Sequence, residues 1–421
     1  MNTRIDLQYD FVSARRTLDE YKKKKNRPDM LARIDQRAYN AVRKMHNHLF
    51  FRPCLLEEVL IRGFLNLPLL EEPSPILAFT HKKALDAMSI VEFVGARPLN
   101  RFHNLTLIAQ GAVFGGILPY RDFIPGALKK GFLKKPMIAL AKFLGGKIKA
   151  LCEAVHVYPV YRAGHDLPRS REQFESDSFA GPEITGMSYE EFVNFANRQT
   201  AQTINSVQQA MEQNGMNAIF LVLPEGGFRN NGAVSRVHGL TGTIALRKQR
   251  PTCCGSISYD ELCPDRWRRT MCWINLSEPV DPPSGKEEIP AYFRRMQTTM
   301  QNNTVVLASH LIALALREFL NAKSFALPEF EERFHRFAGR IAKGPFAHDA
   351  NLKEESYRRE RLNRFYRYRK KKWLVKTPDG YAFNKKAIKL FARSERTVND
   401  IEWNCNAVIH IRDWLLRTEN S

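Results

Sequence analysis

Apolar positions along the chain change their rhythm twice. Up to about residue 72 they mix with charged residues at helical spacing, and a basic stretch, Tyr21-Lys22-Lys23-Lys24-Lys25, leads into the segment Asp35 to Leu70. The most apolar part, residues 49–70, is interrupted by Arg52, Pro53, Glu57, Glu58 and Arg62, which suits packing on a core or lying on a bilayer surface, not spanning one. From Pro73 the pattern becomes short apolar runs separated by helix-like stretches, which predicts alternating strands and helices in an α/β unit. Residues 76–80 and 218–223 read as buried strands. Residues 155–161 read as a third strand, with Pro159 directing it to a sheet edge or strand end.

A capping-box start at Ser188-Tyr189-Glu190-Glu191 opens a helix running to about Gln213, and Asn214-Gly215 stops it just before the strand at 218–223. Residues 163–187, rich in Gly, Pro, Ser and charge, predict a long surface loop. After Asp281-Pro282-Pro283-Ser284-Gly285 the rhythm turns helical over 286–343, with residues 305–316 as the apolar centre. Residues 351–372 predict a basic helix with interleaved aromatics, Pro378-Asp379-Gly380 a turn, and residues 403–416 a last apolar helix. The expected organisation is an N-terminal helical segment (1–72), an α/β domain (73–280) and a helical C-terminal region (281–421).

Composition sharpens this picture in two ways. With 44% hydrophobic residues in 421, the chain has enough apolar surface for a real core, which excludes disorder. With 65 Lys and Arg against 44 Asp and Glu, a net charge of +21 calls for an anionic partner, whether phosphate on a small substrate, an anionic membrane or nucleic acid. No run of about 18 apolar residues predicts a transmembrane helix, and Arg4, Asp6 and Asp10 stand where a secretory signal needs an apolar core, so the expected location is cytoplasmic. The seven cysteines form no C-x-x-C pair, and reduced, buried thiols are expected.

The chemistry concentrates at strand ends. His81 follows the first strand in Thr80-His81-Lys82-Lys83-Ala84-Leu85-Asp86, where open α/β sheets place their ligands. Asp86, in the first turn of the next helix, is spaced to fold back on the imidazole, fix its tautomer and stabilise imidazolium while the other ring nitrogen takes a proton from a hydroxyl. Lys82 and Lys83 stand ready to attract an anion. After the strand ending at Leu223 comes Pro224-Glu225-Gly226-Gly227-Phe228-Arg229, a glycine-rich loop in which backbone N–H groups and an arginine fork suit phosphate oxygens. His46 and His48, at i and i+2 on a helix, do not face together as a metal pair would.

The order His81-x-x-x-x-Asp86, Tyr158-Pro159-Val160-Tyr161-Arg162, Pro224-Glu225-Gly226-Gly227 and Ser256-Ile257-Ser258-Tyr259-Asp260 resembles the four blocks of the glycerophospholipid acyltransferase superfamily. The likeness is greatest to its glycerol-3-phosphate and dihydroxyacetone-phosphate acyltransferase branch, which Leu240-Thr241-Gly242-Thr243 and the run Trp403 to His410 also resemble. The resemblance implies an α/β acyltransferase domain with a mixed sheet and surrounding helices. It implies His81 as general base, Asp86 as its orienting partner, and Arg162, Glu225 and Gly226 on the acceptor side, with Ser258 and Tyr259 as loose candidates on the acyl-donor side; Gly227, Arg229 and Lys82 are substrate-binding candidates from their own chemistry and place in the chain. It also implies acyl-CoA or acyl carrier protein as co-substrate, a phosphorylated glycerol-like acceptor, no metal or bound cofactor, and peripheral attachment to the cytoplasmic face of an anionic membrane. The sequence departs from the pattern in Phe228 before Arg229, in Leu240 and Tyr161 at positions that are usually charged, and in long spacings between blocks, which leaves lysophosphatidate or another lipid alcohol open as acceptor.

The basic-aromatic stretch 351–372 supports a different class, a membrane- or RNA-binding protein on an inactive acyltransferase fold. Of the two partners, the lipid surface is the expected one and nucleic acid is not.

Overall fold

The computed structural model describes residues 2–5, 56–63, 66, 75–83, 86, 89–90, 93, 105–154, 157–161, 166–213, 219–225, 231–237, 239–384 and 399–417. Their centre is a mixed sheet of eight strands: β1 (Asn2–Ile5), β2 (Leu56–Arg62), β3 (Ile76–Phe79), β4 (Leu105–Gln110), β5 (Val157–Val160), β6 (Ile219–Val222), β7 (Thr252–Tyr259) and β8 (Thr270–Val280). The spatial order is β1-β2-β8-β7-β3-β6-β4-β5, and only the β7–β8 pair is antiparallel. The short apolar runs at 76–79 and 219–222 form the middle of the sheet, with Ile76, Leu77, Ala78 and Phe79 fully buried on both faces, as expected of parallel strands covered by helices. Proline-bearing β5 is an edge strand, since Pro159 has no N–H to give a second neighbour.

The residues 56–62 correct the helical reading of the N-terminal segment. Leu-Glu-Glu-Val-Leu-Ile-Arg is strand β2, paired in parallel with β8, and buries Leu56, Val59 and Ile61 in the sheet core. Its charged residues interrupt the apolar pattern because they meet partners: Glu57 pairs with Arg364 at 2.8 Å, and the Arg62 guanidinium donates to the His348 carbonyl.

Around the sheet lie α1 (Lys134–Ala154), the short α2 (Arg171–Glu175) and α3 (Pro182–Thr185), α4 (Tyr189–Gln213), α5 (Gly239–Lys248), α6 (Ile289–Asn302), α7 (Ala308–Glu318) and α8 (Leu327–Lys343). The capping box at α4 is present, Ser188 Oγ accepting from the Glu191 N–H at 3.3 Å and Glu191 Oε2 from the Ser188 N–H at 2.8 Å. Residues 166–187 are a folded insertion, not a bare loop: Phe174, Phe179 and Ile184 are buried with Tyr161 and Phe192, and Phe174 stacks on Phe192 at 5.3 Å. Aromatic residues scattered among Gly, Ser and charge carry no period, which is why the pattern conceals them.

The helical C-terminal region shares the sheet's core. Tyr292, Met296 and Met300 of α6 pack with Ile76, Ala78 and Phe220, and Trp403 packs with Leu77, Phe79 and Tyr259. The segment 351–372 is α9 (Glu355–Tyr368) followed by the turn α10 (Lys370–Trp373), then a hairpin of β9 (Leu374–Thr377) and β10 (Gly380–Phe383). The final apolar stretch is two helices, α11 (Asp400–Ala407), capped by the Asn399 side chain, and α12 (Ile409–Arg417). Among the described residues no helix is long and apolar enough to cross a membrane.

Candidate functional site

Strands β3 and β6 are parallel neighbours, so the residues just past their carboxyl ends meet. The His81 backbone N–H donates to Glu225 Oε1 at 2.7 Å, which ties the first block of the sequence to the third across 144 residues. Strand β7 runs parallel on the other side of β3, with Phe79 opposite Gly255, and continues four residues further. That overrun carries Tyr259 above the turn containing His81.

Asp86 is fully buried at the centre of this arrangement. Its Oδ2 accepts from the Lys82 and Lys83 backbone N–H groups at 2.5 and 2.7 Å, and its Oδ1 accepts from the Tyr259 hydroxyl at 2.7 Å. The same Oδ2 lies 3.5 Å from His81 Nδ1. Three donors therefore hold the carboxylate against the imidazole, whose side chain keeps 15% exposure and so reaches solvent. The Tyr259 oxygen is also 3.0 Å from Ser89 Oγ, one helical turn beyond Asp86. Burial, followed by the Asp86 charge, pushes the Tyr259 phenol well above its usual range, so it stays protonated and donating.

Glu225 is equally enclosed. Its second oxygen accepts from the Ser235 N–H at 2.5 Å, and burial raises its carboxyl to about 7 against the pull of these N–H donors and of Lys82 and His81. Lys82 is buried too, not displayed to solvent as an anion attractor. Burial lowers its ammonium to about 8 against the opposing effects of Glu225 and Asp86. The Lys83 ammonium lies 3.8 Å from the Trp403 ring centre and pairs with Glu261.

Behind Lys82 the C-terminal helices add two histidines the sequence did not single out. His310 Nδ1 accepts from the Leu307 N–H at 3.1 Å, so its ring proton sits on Nε2. Burial first, then the Lys82 charge and others, lowers it to about 3, and His410 is lowered to about 4 by burial and Lys82. Both are neutral at pH 7. The C-terminal run also props the third block: Gly232, at φ +85°, sits where a Cβ would be 2.0 Å from the Trp403 carbonyl, and Asn406 Nδ2 donates to the Asn231 carbonyl at 3.0 Å.

Of the sequence candidates, His81, Asp86, Glu225, Lys82 and Tyr259 come together. Ser258 does not: it is buried on the face of β7 opposite Tyr259. Tyr259 itself faces Asp86 instead of an open acyl-donor surface. Arg162, Gly226, Gly227 and Arg229 lie outside the described residues, as do His46 and His48. Ser89 and Ser235 went unnoticed, because a serine within a helix or loop carries no pattern of its own.

Part of the basic helix α9 is committed to the protein's own acids, while Arg367 and, beyond it, Lys371 are exposed. Arg361 is 3% exposed and faces buried Asp260 at 3.3 Å, and Phe365 is in the core. Arg364 pairs with Glu57 and Glu360.

A cavity of about 510 Å³ opens beside β5, lined among others by Phe114, Ile117, Lys149, Tyr158, Tyr161 and Phe192. It contains none of the residues around His81. Among the described residues no group of three His, Cys, Asp or Glu side chains converges as a metal site needs.

No family model matches this chain, and no curated protein does. Among solved structures it is similar to the 1-acyl-sn-glycerophosphate (LPA) acyltransferase PlsC from Thermotoga maritima, at 15% identity and a TM-score of 0.33, over 62% of this chain and 76% of that one. At that identity and score, the functional reading rests on the residues around His81.

Proposed function

We propose that the protein is an O-acyltransferase that moves a fatty acyl chain from acyl-CoA or acyl carrier protein to a hydroxyl of glycerol 3-phosphate or a related acceptor. The observation that supports this is the contact of His81 with buried Asp86, held by the Lys82 and Lys83 N–H groups and the Tyr259 hydroxyl. With Nδ1 toward the carboxylate, Nε2 is the nitrogen available to a substrate. It takes the proton of the acceptor hydroxyl as that oxygen attacks the thioester carbonyl. The tetrahedral adduct then expels the thiolate, which recovers the proton from the imidazolium, leaving an ester and a free thiol. A thioester is already activated, so positioning plus one base suffices, and a placed base contributes about 10²- to 10⁴-fold. No metal or bound cofactor enters this reaction.

Glycerol 3-phosphate, dihydroxyacetone phosphate and lysophosphatidate are the acceptors to compare. The test is thiol release from palmitoyl-CoA, and from palmitoyl acyl carrier protein, by wild type and His81→Ala with each acceptor. Acceptor-dependent release lost in His81→Ala supports the reading; no release with any pair overturns it. Against the binding-protein alternative, Arg361 and Arg364 of α9 are paired internally, which leaves Arg367 and Lys371 as exposed basic positions of that stretch.

A further inference from the structure

The strongest unassigned feature lies away from the His81 site, on the segment between β4 and β5. Between Ile124 and Cys152 the sequence has seven lysines and no Asp or Glu. This segment also holds most of the large apolar side chains that are exposed among the described residues: Phe132 at 90%, Phe143 at 61%, Leu140 at 43%, Leu144 at 40% and Leu128 at 36%.

The packing of α1 explains why these residues face outward. The helix seats its small residues on the turn at Gly115 and Gly116: a Cβ on Gly145 would be 2.0 Å from the Gly116 nitrogen, and one on Gly116 would be 2.5 Å from the Ala141 carbonyl. Ala141 and Gly145 are buried, together with partly buried Ile138 and Ile148. With that stripe inward, Leu140, Phe143 and Leu144 must point away from the protein. Exposed Lys135, Lys142 and Lys147 flank them, and the Lys147 ammonium lies 5.6 Å from the Phe143 ring centre. Lys134 is different, turned back to Glu183 at 2.9 Å.

We propose that this face of α1, with Phe132 beside it, is a docking surface for an anionic lipid bilayer. A water-soluble face has no use for two exposed phenylalanines, whereas aromatic and leucine side chains inserted at the headgroup boundary, ringed by lysines, match an interfacial helix. The lysines meet lipid phosphates while their stems and the aromatic rings occupy the boundary. A protein partner of ordinary composition would leave this many like charges unopposed. The surface stands on its own residues and holds whether or not His81 performs acyl transfer.

The test is sedimentation of the full chain with vesicles at 0.15 M salt. Binding is expected to vesicles of phosphatidylcholine with 30 mol% phosphatidylglycerol and to be far weaker with phosphatidylcholine alone, and raising the salt releases the protein. Lys135→Glu/Lys142→Glu/Lys147→Glu lowers partitioning at least about 100-fold, at roughly five-fold per lysine. Phe132→Ser/Phe143→Ser lowers it at least about ten-fold. All these positions are exposed, so both variants keep the wild-type circular dichroism and melting profile. Arg367→Glu/Lys371→Glu, on exposed positions of the other basic segment, keeps wild-type binding. The proposal is overturned if wild type ignores anionic vesicles, if both α1 variants bind as wild type does, or if Phe132→Ser/Phe143→Ser instead converts a dimer to a monomer in size-exclusion chromatography.

Discussion

The Tyr259 hydroxyl donates to Asp86 Oδ1 at 2.7 Å across 173 residues of sequence, so the end of the fourth block holds the carboxylate of the first. In the proposed mechanism Tyr259 is therefore a positioning residue for His81, acting through Asp86. Tyr259→Phe removes one donor and leaves the ring in its packing with Trp403, 6.5 Å away. A hydrogen bond to a charged group is worth about 1.5–3 kcal/mol, so unfolding in urea is expected to shift by that amount. In the acyl-transfer assay kcat falls about ten-fold while the acceptor KM holds. A variant with wild-type kcat would show that Asp86 needs no support from β7.

Asp86→Asn tests the carboxylate itself. The amide is isosteric, but its NH₂ group meets the Lys82 and Lys83 N–H donors or the Tyr259 hydroxyl, and it no longer stabilises imidazolium. Thiol release is expected to drop by about 10²- to 10⁴-fold. Retention of activity within a few-fold of wild type would remove Asp86 from the mechanism.

Glu225 makes stability depend on pH in a defined direction. Its carboxyl titrates near 7 in the folded protein and at the ordinary 4.5 when unfolded, so between these values the folded state binds more protons. Its contribution is present below about pH 4.5 and is lost as pH rises through 7, by up to about 3 kcal/mol. Glu225→Gln removes this dependence. Urea melts of wild type and variant should therefore diverge from pH 4.5 to 7, wild type losing stability relative to the variant; parallel curves would refute the assignment. His310 and His410, lowered to about 3 and 4, act in the opposite sense and cost stability as pH falls below 6.5, but they are common to both proteins.

The Arg361–Asp260 pair fixes α9 to the end of β7, because Asp260 also accepts from the Ser309 N–H and hydroxyl at the start of α7. Arg361→Ala leaves that carboxylate buried without its cation, which costs about 3–5 kcal/mol in urea unfolding. An oligonucleotide gel shift should not distinguish this variant from wild type. A stability change below about 1 kcal/mol would place the pair among weak surface interactions.

Gly145 controls the seating of α1. Gly145→Val forces a side chain into the Gly116 backbone, and the expected outcome is loss of protection from amide exchange across 134–154 with the sheet strands unaffected. Unchanged protection would show that the close approach of α1 to Gly116 is not required.

The sequence by itself determined the elements whose neighbours are local or whose environment is uniform. The apolar runs at 76–79 and 219–222 are buried on both faces, the 189–213 helix carries its own cap, and Pro159 marks an edge in any sheet. It also brought His81 and Asp86 together on paper, because five residues spanning a strand end and a helix start leave little conformational choice.

Tertiary structure decided what depends on partners far along the chain. Residues 56–62 look helical until β8 pairs with them and Arg364 and His348 take up their charges. Lys82 looks like a surface lysine until the C-terminal helices close over it, and Arg361 and Arg364 look like part of a free basic face until Asp260 and Glu57 are seen against them. In each case the deciding term is burial or pairing, and neither is a property of a residue and its sequence neighbours; both follow from which strands become adjacent in the sheet.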